Sequence, residues 1–232
     1  MNPFLYNRQD LNNVDVAKDW RLIMTSVEID KCVEKCAVYI DKHFHGKKLI
    51  VACIMKGAVC FHVDLTRKLT IPHSWYFIEA SSYHDAQTQS EQLEILSVIV
   101  PEKFKDHHVV LIDELFDNGT TMLQVKDQIH IKANVPLDKI FTCTLFRKNK
   151  STSPFTSLQN NLKFNDLDLY GIMVPNVWLV GYGLDDQQEK RNWTYLYACP
   201  KIEGIPLTPD DAIFTDHIAY IKMREKVNIL SN

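Results

Sequence analysis

The sequence predicts an α/β fold: a doubly wound, mostly parallel sheet. Two observations carry that prediction. Apolar runs of strand length alternate with helical runs from about residue 47 to 147, a pattern that puts helices on both faces of a parallel sheet. The clearest runs, KKLIVACIM (47–55) and VVLI (109–112), are continuous rather than alternating, as strands buried on both faces require.

The elements follow in order. Thr25 and Glu28 form a capping-box pattern, and Ile29, Val33, Cys36 and Ile40 then recur at helical spacing. A helix over roughly residues 26 to 44 is expected. The run at 47–55 reads as a strand, Lys56-Gly57 as a turn, and AVCFHVDLTRKL as a helix. SWYFIEA (74–80) and LEILSVIV (93–100) read as strands on either side of a polar stretch. A second strand–turn–helix unit occupies 109–131, followed by a strand at KIFTCTLF (139–146). The stretch 149–168 is rich in Ser, Asn and Thr and reads as an exposed loop. NVWLVGYGL (176–184) and TYLYA (194–198) are further strands. Pro209 opens an apolar-periodic run through Ile213, Ile218, Ile221 and Met223, which predicts a C-terminal helix at about 209–228.

Composition narrows the function. The 232 residues suit one large domain with elaborations, and a formal net charge of −3 supplies no bulk cationic field for nucleic acid. An anionic ligand must therefore be held by local positive groups and backbone dipoles. Six cysteines occur without a C-x-x-C pair, so reduced, mostly buried thiols are expected rather than a zinc site. The N-terminus lacks a signal-peptide pattern and no apolar stretch would span a bilayer, so a cytoplasmic location without membrane contact is expected.

The most informative run is VVLIDELFDNGTT (109–121). A buried strand ends in two acids, and a short glycine-containing turn then opens a helix. That arrangement aims backbone N–H groups and a positive helix end at one point, which suits a phosphate. Asp113 and Glu114 could accept hydrogen bonds from a sugar diol, with Asp117 a spare carboxylate at the rim. The run is neither a P-loop nor a dinucleotide fingerprint, because the required lysine and glycines are missing.

This run resembles the phosphoribosyl pyrophosphate (PRPP) motif of type I phosphoribosyltransferases. Further blocks match in order: IMKGAVCFHVDL (54–65), Ser82-Tyr83, TLFRK (144–148) and VWLVGYGLDDQQEKR (177–191). Together they resemble the hypoxanthine-guanine (6-oxopurine) type from about residue 45 to 198. The resemblance implies one phosphoribosyltransferase domain over 1–232. Its core would span about 45–175, and a small hood would be built from about 1–25 and 176–205. It implies magnesium-dependent transfer of a phosphoribosyl group from PRPP to hypoxanthine, guanine or xanthine, and a homodimer or homotetramer.

The resemblance also implies residue roles. Asp113 and Glu114 would hold the ribose hydroxyls, and Asn118, Gly119, Thr120 and Thr121 the 5′-phosphate. Asp117 would take the proton from the purine's imidazole ring; its plainer role is a helix N-cap. Lys56-Gly57 would offer amides to pyrophosphate through a tight, cis peptide, or form an ordinary turn. Arg191 would bind pyrophosphate oxygens, while Asp185, with Asp113 and Glu114, would hold Mg2+ largely through water. Lys148 would donate to the purine 6-oxo group, with Arg147 one register away, and Trp178 would stack on the ring beside Leu179. Ser82 and Tyr83 would begin a loop that closes over the site.

Four positions depart from the family pattern. The acid pair reads Asp-Glu where Glu-Asp is usual, Asn118 replaces a common Thr, and Thr120 replaces a frequent Lys. These departures leave room for a second reading, a PRPP or nucleotide sensor without turnover. A pyrimidine-specific relative is disfavoured by Trp178 and the Val-Gly-Tyr block.

Overall fold

The computed structural model describes residues 16, 20–84, 91–149 and 167–199, and only the backbone of 81–84 and 91–94. The expected C-terminal helix and the N-terminal hood segment before Trp20, Val16 excepted, lie outside the described residues.

The main sheet has six strands in the order β4-β3-β2-β5-β6-β7. They are β2 (Leu49–Met55), β3 (His73–His84), β4 (Glu91–Ile95), β5 (His108–Phe116), β6 (Ile140–Lys148) and β7 (Leu169–Val174). All neighbours pair in parallel except β4, which runs antiparallel along β3. Chain order reverses at β2: the next strand lies on one side of it and β5 on the other. This is the doubly wound arrangement, and its crevice opens at the carboxyl ends of β2 and β5.

Helices cover both faces. Helix α1 (Ser26–His43) and helix α2 (Val59–Lys68) pack on one face, where Val33, Cys36, Ile40, Phe61 and Leu65 meet Val51, Cys53, Val110 and Ile112. On the other face, α3 (Pro101–Phe104) and α4 (Thr120–Ala133) bring Phe104, Met122, Val125 and Ile129 against Ile50, Ala52, Val109 and Leu111. The alternation along β2 and β5 explains why both strands read as unbroken apolar runs: each face has its own core. The capping box forms as expected. Thr25 N donates to Glu28 Oε2 at 2.8 Å, and Glu28 N donates to Thr25 Oγ1 at 3.4 Å. All six cysteines are free, and all but Cys60 are buried.

A second, antiparallel sheet joins β1 (Arg21–Met24), β9 (Leu196–Cys199) and β8 (Trp178–Val180) in the order β1-β9-β8. Several strand boundaries differ from expectation. The strand expected over 176–184 stops at Val180, because Gly181, Tyr182 and Gly183 have φ of 101°, 49° and 99° and turn the chain out of extended geometry. The run at 93–100 is strand only to Ile95. Beyond it Leu96 N still donates to Glu79 O at 2.9 Å, but then Ser97 Oγ accepts from Glu79 N and the Tyr76 hydroxyl bridges Val98 and Val100, so side chains take over from the ladder. Ser82 and Tyr83, expected at the start of a loop, lie within β3, whose backbone pairs them with Leu93 and Gln92. Strands β1 and β7 were not expected at all.

His62 is a buried group that titrates. Its ring lies on α2 with both nitrogens buried, packed edge-on to Trp75 at 4.7 Å, and the Val51 backbone beside it offsets that burial only in part. Burial holds its pKa down to about 4 from an ordinary 6.5. Between those values the unfolded chain binds a proton that the folded chain does not, so stability falls as pH drops through that window. This group should cost roughly 3 kcal/mol of stability between pH 7 and 4. Urea denaturation at both pH values should show His62→Leu flattening that part of the slope; an unchanged slope would remove His62 as its source.

Candidate active site

Strand β5 carries the acid pair to the crevice, and its turn into α4 forms the loop read above as a phosphate cradle, here called the phosphate loop. Asp113 Oδ1 accepts from Glu114 N at 2.9 Å. Burial first, and the neighbouring Glu114 charge second, push the Asp113 carboxyl well above the usual carboxylate range. Such a pair holds two charges together only when a bound group offsets them. The Glu114 carboxylate lies against Gly57 on the neighbouring β2 turn, in space that a methyl group at Gly57 would need.

Helix α4 begins at Thr120 with Gly119 as N-cap in the left-handed region, φ 77°, and has no acidic residue in its first turn. Its positive end therefore carries no competing side-chain charge. Asn118 Oδ1 accepts from Thr120 N at 3.0 Å, a carboxamide oxygen standing where an anion's oxygen would find an amide donor. Asp117 is not the helix cap. Its Oδ2 accepts from Lys148 Nζ at 3.0 Å across from the end of β6.

That contact sets the two basic residues apart. Lys148 is only 7% exposed and faces Asp117, whereas the Arg147 guanidinium stacks over the Tyr170 ring at 5.1 Å. A solvated strand-end lysine is thereby excluded. The edge of the sheet then brings in the hood: Lys148 pairs with Val174 on β7, and Trp178 follows four residues later. Trp178 is 46% exposed, so it is no core residue, while Leu179 beside it is buried.

A cis peptide is present, but between Met55 and Lys56, one bond before the Lys56-Gly57 peptide. Lys56 is exposed and Gly57 buried. The loop after β8 closes onto this turn. Gly183, at φ 99°, leaves no room for a Cβ, because the Gly57 carbonyl oxygen occupies that place. The same loop presents Asp185 and Arg191 as a pair, with Arg191 Nη2 to Asp185 Oδ1 at 2.7 Å and Nη1 donating to Gly183 O at 2.8 Å. Gln188 N donates to the other Asp185 oxygen at 2.9 Å.

The turn after β2, the phosphate loop and Lys148 thus share the carboxyl end of the parallel sheet. Among the described residues no three His, Cys, Asp or Glu side chains cluster as metal ligands. Two residues had no assigned role in the sequence, Asp64 and Tyr182, although both lie in the matching blocks. A cavity of about 660 Å³ lies elsewhere, between α1, α2 and the loop after β8, and none of the acid pair, phosphate loop or Lys148 lines it.

The Gly183–Gly57 contact gives a stability prediction. Gly183→Ala faces both a strained φ and an unyielding backbone oxygen, and should cost roughly 2–3 kcal/mol. Gly46→Ala, with φ 75° but open space around it, should cost about 1 kcal/mol. Equal losses in denaturant titrations would show that the close approach carries no weight.

Comparison with known proteins agrees with this architecture. A Tritrichomonas foetus protein named hypoxanthine-guanine-xanthine phosphoribosyltransferase is 24% identical over 74% of this chain and 87% of its own length. A Streptococcus pneumoniae hypoxanthine-guanine phosphoribosyltransferase is 23% identical over 76% of this chain and 91% of its own. The Trypanosoma cruzi hypoxanthine phosphoribosyltransferase in complex with IMP superposes with a TM-score of 0.63 at 21% identity, covering 80% of this chain and 97% of that one. The phosphoribosyl transferase domain model matches residues 25–168, more than half of the sequence. The chain belongs to the phosphoribosyl transferase domain family.

Proposed function

We propose that this chain transfers a phosphoribosyl group from PRPP to hypoxanthine or guanine, with xanthine a further candidate, in purine salvage. The observation that carries the reading is the Lys148–Asp117 pair beside the phosphate loop. A proton acceptor and a donor for a 6-oxo group stand side by side, which a PRPP-binding module without chemistry does not need. The names of the relatives support the base class.

The site residues divide the substrate between them. The 5′-phosphate would sit on the amides of 118–121 at the positive end of α4, displacing the Asn118 carboxamide from Thr120 N. Asp113 and Glu114 would accept from the two ribose hydroxyls. Asp-Glu instead of Glu-Asp moves the longer arm to the residue that lies against Gly57. Pyrophosphate would lie between the Lys56-Gly57 turn and the Arg191 fork. The purine would stack on the exposed face of Trp178, next to buried Leu179, with Lys148 donating to its 6-oxo group.

In the reaction, the bond from the anomeric carbon to pyrophosphate breaks as the bond to the purine nitrogen forms. Asp117 would receive the imidazole proton released as that bond forms. Magnesium, when bound, would neutralise the diphosphate charge. A hard cation keeps several waters and needs only one or two carboxylates, so Asp185 or the acid pair would hold an ion whose other ligands are substrate oxygens and water. Orientation and charge stabilisation supply most of the rate. We also propose one phosphoribosyltransferase domain with a hood, assembled as a homodimer or homotetramer. Ser82 and Tyr83 would flank the site from the β3–β4 hairpin.

The test is a panel of hypoxanthine, guanine and xanthine with PRPP and Mg2+, read by nucleotide and pyrophosphate formation. At least one of them should be consumed. Asp117→Asn should lower kcat about a hundredfold while changing the KM for PRPP by less than about threefold. Calorimetric PRPP binding with no base turned over would favour the sensor instead.

A further inference from the structure

The loop after β8 is internally well braced. Gly181 and Leu184 exchange backbone hydrogen bonds, Tyr182 N donates to Trp193 O, and Gly183 N donates to Arg191 O. Those bonds shape the loop but do not hold it against the sheet domain. The strongest described polar tie that does so is a single side-chain bond: the Tyr182 hydroxyl donates to Asp64 Oδ2 on α2 at 2.7 Å. Cys60 Sγ adds a weak contact to Arg191 O at 3.6 Å.

Tyr182 has φ 49°, a conformation that a bulky side chain adopts only when its surroundings fix it. Its surroundings do so at both ends. The ring is buried and lies edge-on to Phe146 at 6.2 Å, and the hydroxyl is tied to Asp64. Helix α2 begins directly after the Lys56-Gly57 turn. The Tyr182–Asp64 bond therefore joins the helix fixed to one wall of the pyrophosphate region to the loop carrying the other. The contact of Gly183 with the Gly57 carbonyl lies between them.

We propose that Asp64 is a positioning residue, acting through Tyr182 to hold Arg191 and Asp185 at their working distance from the Lys56-Gly57 turn. This rests on the phosphoribosyltransferase reading of the site. Asp64 touches no substrate group. Its bond decides how far the pyrophosphate wall can drift, whereas the phosphate loop on β5 and α4 does not depend on it. The consequence is selective: loosening the bond should weaken ligands that reach the pyrophosphate wall and spare ligands that end at the 5′-phosphate. Asp64 and Tyr182 both line the cavity of about 660 Å³ while the Tyr182 ring also packs in the core, so the variants chosen keep that ring and add no bulk.

The experiment compares Tyr182→Phe, Asp64→Ala, the double variant and Asp64→Asn. For each, calorimetry gives affinities for Mg2+-pyrophosphate and for IMP, and thermal unfolding gives Tm. Tyr182→Phe and Asp64→Ala should each weaken pyrophosphate about tenfold, the loss expected for a hydrogen bond to a charged acceptor. IMP affinity should stay within about twofold, and the double variant should be no worse than either single one. Asp64→Asn keeps an acceptor for the hydroxyl and should recover most of the loss. Equal weakening of both ligands, additive losses, or a lowered Tm with unchanged pyrophosphate affinity would each overturn the clamp. A wild-type chain that binds neither ligand would instead overturn the phosphoribosyltransferase reading beneath it.

Discussion

The pairing of β2 with β5 is the constraint on which the rest of the molecule depends. Both strands are buried on two faces, and both end in turns that enter helices on opposite sides of the sheet. Parallel neighbours whose helices leave in opposite directions cannot close over their own carboxyl ends, so a crevice remains there. One turn contributes Lys56-Gly57 and the other the acid pair and the α4 terminus. Glu114 lying against Gly57 is the point where the two meet.

On the proposed reading, a chain of net charge −3 holds a phosphorylated sugar without a general positive field. It uses local devices instead. A helix start free of acidic residues offers amides, and Arg191 is pre-oriented by Asp185 and the Gly183 carbonyl. Lys148 is kept in place by its carboxylate partner at low exposure. An ion pair whose lysine is buried and whose carboxylate is 46% exposed seldom adds much net stability, because desolvation of the lysine offsets a screened attraction. Its placement at the crevice is better explained by chemistry than by folding.

Much of this was legible in the sequence, for physical reasons that also explain the gaps. Strands β2 and β5 were readable because burial on both faces demands unbroken apolar runs, and α1 because its cap and its periodicity agree. The separate positions of Asp117 and Lys148 could be read from motif spacing, but their ion pair could not, since it depends on how β6 lies beside β5. Strand β7 went unread because only six residues, LYGIMV, follow a long polar stretch. Strand β8 was overestimated because the apolar pattern runs through Gly181 and Gly183, whose positive φ the pattern does not encode. Asp64 and Tyr182 had no visible link, because they lie 118 residues apart and only the closed hood brings them together.

The central claim is that the bend between β5 and α4 seats the phosphate of a ribose phosphate. A crystal structure with a bound nucleoside monophosphate tests it most directly. The phosphate should rest on the amides of residues 118–121, with the Asn118 carboxamide moved off Thr120 N and the ribose hydroxyls against Asp113 and Glu114. A nucleotide bound elsewhere, with that bend unchanged and Asn118 still on Thr120 N, would contradict it.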